Sequence, residues 1–420
     1  MKAMRFFFVL CLAVFLGACT LPGVRSQAIS RVSPPLGPVG VYDLEGDPNF
    51  TPSQLTPEMQ EWHSRLLEGI TRVNTFNPKV TPNTIALSGD SYAVARNLNV
   101  YVTSLLTSLR VTGDLAFLDE ADRLMELARS KLADYNGDGF MNWRYLNPSN
   151  PGIYGDDYGE MDEILAHSLV AAVAAALQAN EAFNPRYGEH AAFWLDYLQN
   201  DFEAKWRQRN DKPEGLPVLN FGLTHPYVQF IRYHHYMYQL TGDKAYEDEA
   251  ERRAKLVLKQ VREVFTPGGP GYVWDQRFLP ESDAGALACQ PLIYLQYTFQ
   301  AFQDLAVEGM TVFDTEFMQR VATTMTELVM LDGYKRMAPD ICGGSFQRGL
   351  LSKASAPGIP YHYVNFPYAT IGKWDATGKL EQAVRDAYDD IDFDDLHYTF
   401  APVNLPAEML FLLANNPDSR

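Results

Sequence analysis

The chain has 420 residues, of which 46% are hydrophobic, and its formal net charge is −17 at pH 7. Such acidity argues against a nucleic-acid partner and against adhesion to anionic surfaces, although one cleft can still hold the positive charges that an acidic substrate requires. The part of the chain after residue 19 has no G-x-S-x-G, Walker, dinucleotide-binding, H-E-x-x-H or C-x-x-C motif, which argues against nucleotide cofactors and thiol redox chemistry.

Residues 1–18 have the pattern of a secretory signal. Lys2 and Arg5 precede an apolar run, Phe6 to Leu16, and small residues follow it. The ending L-G-A-C resembles the bacterial lipobox, in which cleavage before the cysteine is followed by lipidation of its thiol. The resemblance implies a lipid anchor at Cys19 on the bacterial cell envelope, with the outer membrane as the expected location. An ordinary signal peptide is the alternative, and both interpretations predict that the protein is exported.

Residues 19–57 are rich in proline, glycine and serine, which disfavours helix and predicts a tether. Residues 58–420 contain no second linker of this composition, so we expect one large domain. That domain holds two cysteines, Cys289 and Cys342. In an oxidising compartment they either form a disulfide or remain as two buried thiols.

A repeated turn organises the middle of the chain. Ser108–Arg123 and Tyr238–Arg252 share the pattern T-G-D-x-A-aromatic-x-D/E-E-A-x-R, with equivalent positions 129 residues apart. In each copy we predict an apolar helix that the glycine ends and an amphipathic helix that the aspartate caps. At this spacing His225 corresponds to Arg96, near the start of the first helix.

The adjacent His234 and His235 lie in the apolar helix of the second copy, where Leu105 and Leu106 are their equivalents. Neighbouring residues of a helix point about 100° apart, which disfavours one metal site for both. We therefore predict interior packing with hydrogen bonds for this pair. The candidate for chemistry is His225, ten residues earlier.

Similar helix pairs are predicted elsewhere in the chain. Five or six helical hairpins, spaced by roughly 60 residues, predict a ring with apolar helices inside and amphipathic helices outside. This arrangement resembles the (α/α) toroid domains of polysaccharide lyases and of several glycoside hydrolase families, and the resemblance covers most of the mature chain. It implies an all-α fold with long loops on one face. The predicted helices include Glu58–Arg72, Glu160–Asn180, Glu189–Arg207, Ala286–Leu305 and Thr315–Leu331.

The long predicted loops hold most of the unusual polar and aromatic residues, and loops on a rigid scaffold commonly carry binding and catalysis. Two of them repeat a motif, with Trp143 and Arg144 in one and Trp274 and Arg277 in the other. Tryptophan offers a flat face to a sugar ring, and arginine binds a carboxylate through two nitrogens. Alternatively, the tryptophans seal the rim of the ring and the arginines pair with local aspartates.

One loop has the spacing D-x-N-x-D-G that begins a calcium site, through Asp134, Asn136 and Asp138. The twelfth position is Tyr145, where a bidentate glutamate is needed. A structural calcium ion is therefore an alternative to a plain Asn-Gly turn. We expect no metal at the reaction centre.

Asp156 and Asp157 lie in the acidic run Y-G-D-D-Y-G-E-M-D-E, before an apolar helix. Acidic residues at this position complement the helix dipole. Adjacent aspartates there also resemble the acid and base of some toroidal glycosidases, which need one protonated and one ionised carboxyl group. One alternative function is therefore a glycoside hydrolase that uses this pair.

A second set of residues fits β-elimination from a uronic-acid polymer. That reaction needs a group to neutralise the carboxylate, a base for the proton α to it, and an acid for the departing oxygen. Groupings of Tyr, His, Asn and Arg in these loops are similar to those of toroidal lyases, with packing as the alternative role. We predict catalytic roles for Asn220, His225, Arg277, Tyr361, Tyr363 and Asn365, and substrate contacts for Trp143, Arg144, Tyr158, Trp274 and His362.

The sequence thus predicts an exported (α/α) toroid that cleaves an acidic polysaccharide, such as alginate or glucuronan, without a cofactor. His225 would be the base and a tyrosine of residues 361–368 the acid, while Arg277 and Asn220 or Asn365 hold the carboxylate. The hydrolase is one alternative. A non-catalytic glycan-binding or envelope-assembly lipoprotein is another.

Overall fold

A computed structural model describes residues 50–75, 80–146, 160–209, 222–277, 288–344, 369–393 and 399–415. Within these ranges the chain is mainly helical, with two short two-stranded sheets, so the predicted all-α class is confirmed for this part of the chain. Val39–Arg420 forms one compact unit. The predicted signal and most of the tether lie outside the described residues.

The first half of the described chain forms helices that mostly follow one another closely. They are α1 (Pro57–Thr75), α2 (Pro82–Ala86), α3 (Ser91–Ala93), α4 (Asn99–Thr112), α5 (Ala116–Arg129), α6 (Glu160–Ala179), α7 (Pro185–Tyr197) and α8 (Ala204–Arg209). A π-helical turn at Val94–Leu98 joins α3 to α4, and another at Leu198–Glu203 joins α7 to α8. A short 3-10 turn, Pro52–Gln54, precedes α1.

The second half adds six helices and two hairpins among the described residues. The helices are α9 (Thr224–Thr241), α10 (Lys244–Leu258), α11 (Leu292–Val307), α12 (Thr315–Thr324), α13 (Lys379–Asp390) and α14 (Ala401–Asn415). Shorter turns lie at Thr311–Phe313, Met325–Val329 and Ala369–Trp374. The antiparallel hairpins pair β1 (Arg262–Thr266) with β2 (Gly269–Val273), and β3 (Met330–Asp332) with β4 (Arg336–Met337).

Five largely buried helices, which we call the central helices, pack on one another. They are α4, α6, α9, α11 and α14. Helix α6 packs against α4 and α9, α9 against α11, and α14 against α4, while the turn Ala369–Trp374 contacts both α11 and α14. The amphipathic helices α5, α7, α10 and α12 each pack on the central helix before them, and α1 and α13 pack on α14. This alternation agrees with the helical hairpins predicted from the sequence.

Helix α6 is unusually apolar. Among the described residues, Met161–Ala179 is the one helix long and apolar enough to cross a membrane, yet 83% of its most apolar window is buried inside the protein. Its neighbours are therefore other helices. The sequence predicts the same, because the apolar run Ile164–Leu177 is short and contains a histidine.

Both Thr-Gly-Asp turns have the predicted geometry. Gly113 (φ 74°) and Gly242 (φ 68°) end α4 and α9 in the left-handed conformation, which glycine adopts without a Cβ clash. The carboxylates of the next residues then accept hydrogen bonds from the first amides of α5 and α10, at 3.0 and 2.9 Å. Each turn therefore serves to connect two helices.

Buried polar side chains link the central helices to one another. Arg232 of α9 donates to Asp304 of α11 at 2.7 Å and to Ser168 of α6 at 3.1 Å. Gln300 of α11 accepts from Gln229 of α9 and donates to Asn99 of α4, both at 3.1 Å. Buried polar groups are costly unless they are paired, so these bonds hold the helices in one register.

Cys289 and Cys342 form a disulfide, with Cα atoms 5.9 Å apart. The bond joins the segment before α11 to the segment after β4. Backbone hydrogen bonds reinforce the junction, from Ile341 to Gln290 at 3.0 Å and from Leu292 to Pro339 at 2.9 Å. Of the two states that the sequence allows for these cysteines, the structure has the disulfide.

Replacing both cysteines, as Cys289→Ala/Cys342→Ala, should lower the free energy of unfolding by about 4 kcal/mol. The bond links residues 53 apart, and closing a loop of that length restricts the unfolded chain. Urea denaturation measures the change. A reductant should weaken the wild-type protein by a similar amount and leave the double variant unchanged; equal stability of the two proteins would contradict the pairing.

Candidate functional site

Only part of the predicted site lies within the described residues. His225, Arg277, Trp143, Arg144, Trp274 and the loop with Asp134, Asn136 and Asp138 are described. The remaining predicted residues lie outside the described ranges, and these are Cys19, Asp156, Asp157, Tyr158, Asn220, Tyr361, His362, Tyr363 and Asn365.

Residues at or just before the first turns of four central helices come together in what we call the entrance cluster. Its members are Tyr92 from α3, Arg96 from the π turn that leads into α4, Asp162 from α6, His225 from α9, and Tyr294 and Tyr297 from α11. Tyr92, Arg96 and Tyr294 are partly exposed, whereas the other three side chains are buried. Solvent and ligands therefore reach the cluster through these three residues.

Arg96 is the cation of the entrance cluster. Its Nε donates to Asp162 Oδ1 at 2.6 Å, and its guanidinium carbon lies 4.9 Å from the ring centre of Tyr297. The rings of Tyr92 and Tyr294 lie at 5.8 and 5.9 Å. An arginine held through Nε can still present its terminal nitrogens to a second carboxylate. Arg96 therefore has the surroundings of an anion-binding group.

Local backbone geometry positions Arg96 and Tyr92. Arg96 lies inside the π turn Val94–Leu98, and single π turns recur at functional sites. Asp90 anchors the start of this segment, because its carboxylate accepts from the amides of Tyr92 at 3.0 Å and Leu146 at 2.9 Å. Burial raises the pKa of Asp90, although those amide bonds act in the opposite direction.

His225 is fully buried in the first turn of α9. Its ring stacks on Tyr294 with centroids 4.3 Å apart, and its Nε2 lies 3.2 Å from Met161 Sδ. A thioether only accepts hydrogen bonds, so Nε2 carries the proton and Nδ1 keeps a lone pair, for which no partner is found among the described residues. Burial lowers the pKa of His225 well below its ordinary value, and the charge of Arg96 lowers it further. The imidazole is therefore neutral, with one free acceptor nitrogen.

A buried ion pair fixes the first turn of α6 beside Asp162. Glu163 accepts from Lys205 Nζ at 2.9 Å, from Trp206 Nε1 at 2.7 Å and from Asn142 Nδ2 at 2.9 Å. Neither charged side chain is more than 1% exposed. Each bond reduces the cost of burying the Glu163 charge. The backbone that carries Asp162 is thereby held in place.

The backbones of the two predicted arginines lie close to the starts of α3 and α9. Arg144 forms backbone hydrogen bonds with Gly89 and Ser91, next to Tyr92, at 2.9 and 2.7 Å. Arg277 forms a β-bridge with Leu223, two residues before His225. Both arginine side chains are exposed. Their backbone positions are therefore compatible with contacts at the mouth of the entrance cluster.

The two tryptophans predicted as sugar platforms have buried rings. Trp143 is 0% exposed, donates to the carbonyl of Ala128 at 2.8 Å, and packs near Trp194. Trp274 is 2% exposed, donates to Gln290 Oε1 at 2.6 Å, and packs against Phe302. This packing favours the alternative that the tryptophans seal the interior.

The loop with the calcium-like spacing is held by its own backbone. Asp134 accepts from the amides of Asp138 and Gly139 at 3.1 and 2.9 Å, and Asp138 accepts from the amide of Phe140 at 3.2 Å. These bonds use carboxylate oxygens that a calcium ion would need, and they suffice to form the turn. Calcium binding by this loop stays a prediction.

One of the two adjacent histidines packs as the sequence predicts. His234 is buried and its Nδ1 donates to the carbonyl of Phe230 at 2.9 Å, while His235 Nε2 lies 3.0 Å from Gln239 Nε2. Neither belongs to a group of potential metal ligands among the described residues. Interior packing with a hydrogen bond is therefore found for His234, whereas His235 is only partly buried and its contact with Gln239 is exposed.

A signal for part of the entrance cluster is present in the sequence. His225 and Arg96 occupy equivalent positions of the repeat and lie close together in the structure. Asp162 is one of several acidic residues at a helix start, so the sequence alone does not distinguish it as a residue of the site. Tyr294 and Tyr297 were not predicted, because they lie within an otherwise apolar helix start and resemble core residues there.

Comparison with known proteins assigns no family. No protein-family model matches the chain, and no curated protein is significantly similar to it.

The unfolding free energy should fall on acidification as buried histidines protonate in the unfolded chain. Burial lowers the pKa of His167 to about 3 and that of His234 to about 4, against an ordinary value of about 6.5. Below pH 6.5 only the unfolded chain takes up these protons. Each histidine therefore lowers the free energy of unfolding by about 1.4 kcal/mol for each unit that the pH falls, until the pKa of the folded state is reached. Urea titrations between pH 7 and about 4 measure the slope.

His234→Gln should reduce this slope by about 1.4 kcal/mol per pH unit, because it removes one such group. His190→Gln is the matched control, because His190 should change the free energy of unfolding with pH in the opposite direction. Burial by itself lowers the pKa of His190, but the hydrogen bond and charge of Asp122 raise it overall. The stabilisation that His190 provides is therefore present at low pH and lost as pH rises above 6.5. An unchanged slope in His234→Gln would contradict the prediction.

Proposed function

We propose that the chain is an (α/α) toroid that cleaves a uronic-acid polysaccharide by β-elimination at the entrance cluster. The toroid is supported by the succession of contacts from α4 through α6 and α9 to α11, and from α14 back to α4. The observation that carries the reaction is the meeting of Arg96, a neutral His225 and partly exposed tyrosines in one cluster.

Arg96 would bind the substrate carboxylate and neutralise its charge, which makes the adjacent C5 proton more acidic. Asp162 holds the guanidinium through Nε, while Nη2 lies 3.8 Å from Met161 Sδ and Tyr297 also hydrogen-bonds the guanidinium, so a substrate carboxylate would replace these terminal contacts. The entrance cluster contains no second cation. We therefore assign the neutralising role to Arg96, with Arg277 and Arg144 as the exposed cations of neighbouring segments.

His225 would accept the C5 proton on Nδ1, whose lone pair has no partner in the part of the chain that the structure describes. Tyr92 would donate its phenolic proton to the departing O4, since burial raises the pKa of Tyr92 and keeps it protonated. The C4–O4 bond breaks as the C4–C5 double bond forms. The products are an unsaturated sugar end and a new reducing end, and the proton on His225 returns to Tyr92 through solvent.

His225 has no exposed surface beneath Tyr294. Substrate binding would therefore displace the Tyr294 ring from its stacked position and bring the sugar against His225. This displacement costs the stacking contact and removes water from around the base, which stays neutral because burial lowers its pKa and so keeps its lone pair for the C5 proton.

Export and lipid anchoring at Cys19 belong to the same proposal. The support is the signal pattern with its L-G-A-C ending, together with a disulfide between the two cysteines of the folded body. Such a bond is typical of proteins that mature in an oxidising compartment. The bacterial cell envelope is the proposed location.

The purified protein should release products with the ultraviolet absorbance of an unsaturated uronate from at least one of alginate and glucuronan. His225→Gln, Tyr92→Phe and Arg96→Lys should each lower kcat/KM at least about 100-fold, because each removes a proton-transfer or charge-binding group. The matched control is His235→Gln, on the same helix but outside the cluster, which should keep full activity.

Two measurements in parallel separate the alternatives. New reducing ends without absorbance identify the hydrolase that uses Asp156 and Asp157, and binding without either signal identifies the non-catalytic lipoprotein. Arg277→Ala tests the carboxylate contact predicted from the sequence. Full lyase activity in both His225→Gln and Arg96→Lys would show that the entrance cluster is not the site, whatever the reaction.

A further inference from the structure

A cavity of about 540 Å³ lies near the C-terminal ends of the central helices α4 and α6. It is separate from the entrance cluster. Tyr236, which lines the cavity, follows His225 by 11 residues on α9, or roughly 16 Å at the rise of an α-helix. Ligand pockets of proteins commonly have about 300–1,000 Å³, so the cavity is large enough for a small molecule.

Most of the cavity wall is apolar because α6 presents only methyl groups to it. Ala172, Ala175, Ala176 and Ala179 follow one face of α6, and leucines of α4 stand opposite. Phe183, which is 66% exposed, lies at the rim. A run of larger residues on this face of α6 would fill the space, so the alanines create the cavity.

One hydroxyl of the cavity wall has no hydrogen-bond partner among the described residues. Tyr236 is 4% exposed, and no described residue accepts a hydrogen bond from its hydroxyl. Burial raises the pKa of Tyr236, so the hydroxyl keeps its proton and is available as a donor. The hydroxyl is not among the fully enclosed polar atoms that lack a partner, so it meets the open space of the cavity, where a ligand oxygen or nitrogen could accept a hydrogen bond from it.

The charges around the cavity are already matched. Arg110 donates to Glu308 at 2.7 Å, and Arg232 pairs with Asp304 at 2.7 Å. The C-terminal ends of α4 and α6 add partial negative charge, which disfavours an anion. Among the described residues the cavity therefore offers no free cation to an acidic ligand, and most of its wall is apolar although Asn180 and Gln239 also line it.

From the alanine-lined wall, the unpartnered hydroxyl and the matched charges, we infer that this cavity binds an uncharged, largely apolar ring compound with one hydrogen-bond acceptor, held by the Tyr236 hydroxyl. The inference does not rest on the proposed lyase reaction. It would give the protein a second ligand site at the opposite end of the central helices from the entrance cluster.

The probe that tests this is prodan, a neutral naphthyl ketone whose fluorescence shifts to the blue in apolar surroundings. The wild-type protein should bind it saturably, with a weaker response to the anionic probe anilinonaphthalene sulfonate. Ala176→Leu, which fills the cavity from a half-buried position, should abolish saturable binding. Tyr236→Phe should weaken it about fivefold through the lost hydrogen bond.

The matched control is Gln178→Leu, which adds a leucine to the exposed face of the same helix and should leave prodan binding unchanged. Thermal melting verifies that each variant is folded. Absence of saturable binding to the wild-type protein, or binding that Ala176→Leu leaves intact, overturns the site. Binding that Tyr236→Phe leaves unchanged overturns the assigned ligand chemistry.

Discussion

The ion pair between Arg232 and Asp304 constrains how the central helices pack. Both side chains are almost fully buried, and a buried guanidinium without its carboxylate costs several kcal/mol. Helices α9 and α11 must therefore meet in the register that brings these groups together. The same register pairs Gln229 with Gln300, one helical turn nearer the N-termini, and places His225 against Tyr294 at the helix starts. The geometry of the candidate site thus follows from a pairing deep in the interior.

Local features of the fold were predictable from the sequence because local physics determines them. The Thr-Gly-Asp turns depend on one glycine and one capping aspartate, and both copies have the predicted form. The apolar helix predicted at Glu160–Asn180 is found at Glu160–Ala179. The helix predicted at Glu189–Arg207 begins earlier, at Pro185, because Asn184 caps it. The β1–β2 hairpin, which ends directly before Trp274, was not predicted, since its strands are only five residues long.

The candidate site was predictable only in part. The repeat identified His225 and its counterpart Arg96, but which side chains surround them depends on contacts between helices far apart in the sequence. Tyr294 is an example, because its aromatic ring suits a core as well as a reaction site until its stacking on His225 is known. Trp143 shows the opposite case. Its position beside Arg144 suggested exposure, yet the strand-like backbone there directs neighbouring side chains to opposite sides, and the indole points inward.

The disulfide also relates the site to the compartment in which the chain matures. Cys289 lies five residues before Tyr294, so the covalent link at Cys342 closes the segment that leads into α11. Thiols stay reduced in the cytoplasm and pair only where the surroundings are oxidising. A chain retained in the cytoplasm would therefore lack this closure next to the entrance cluster. With the export that we propose, the segment that leads into α11 would be closed only once the chain leaves the cytoplasm.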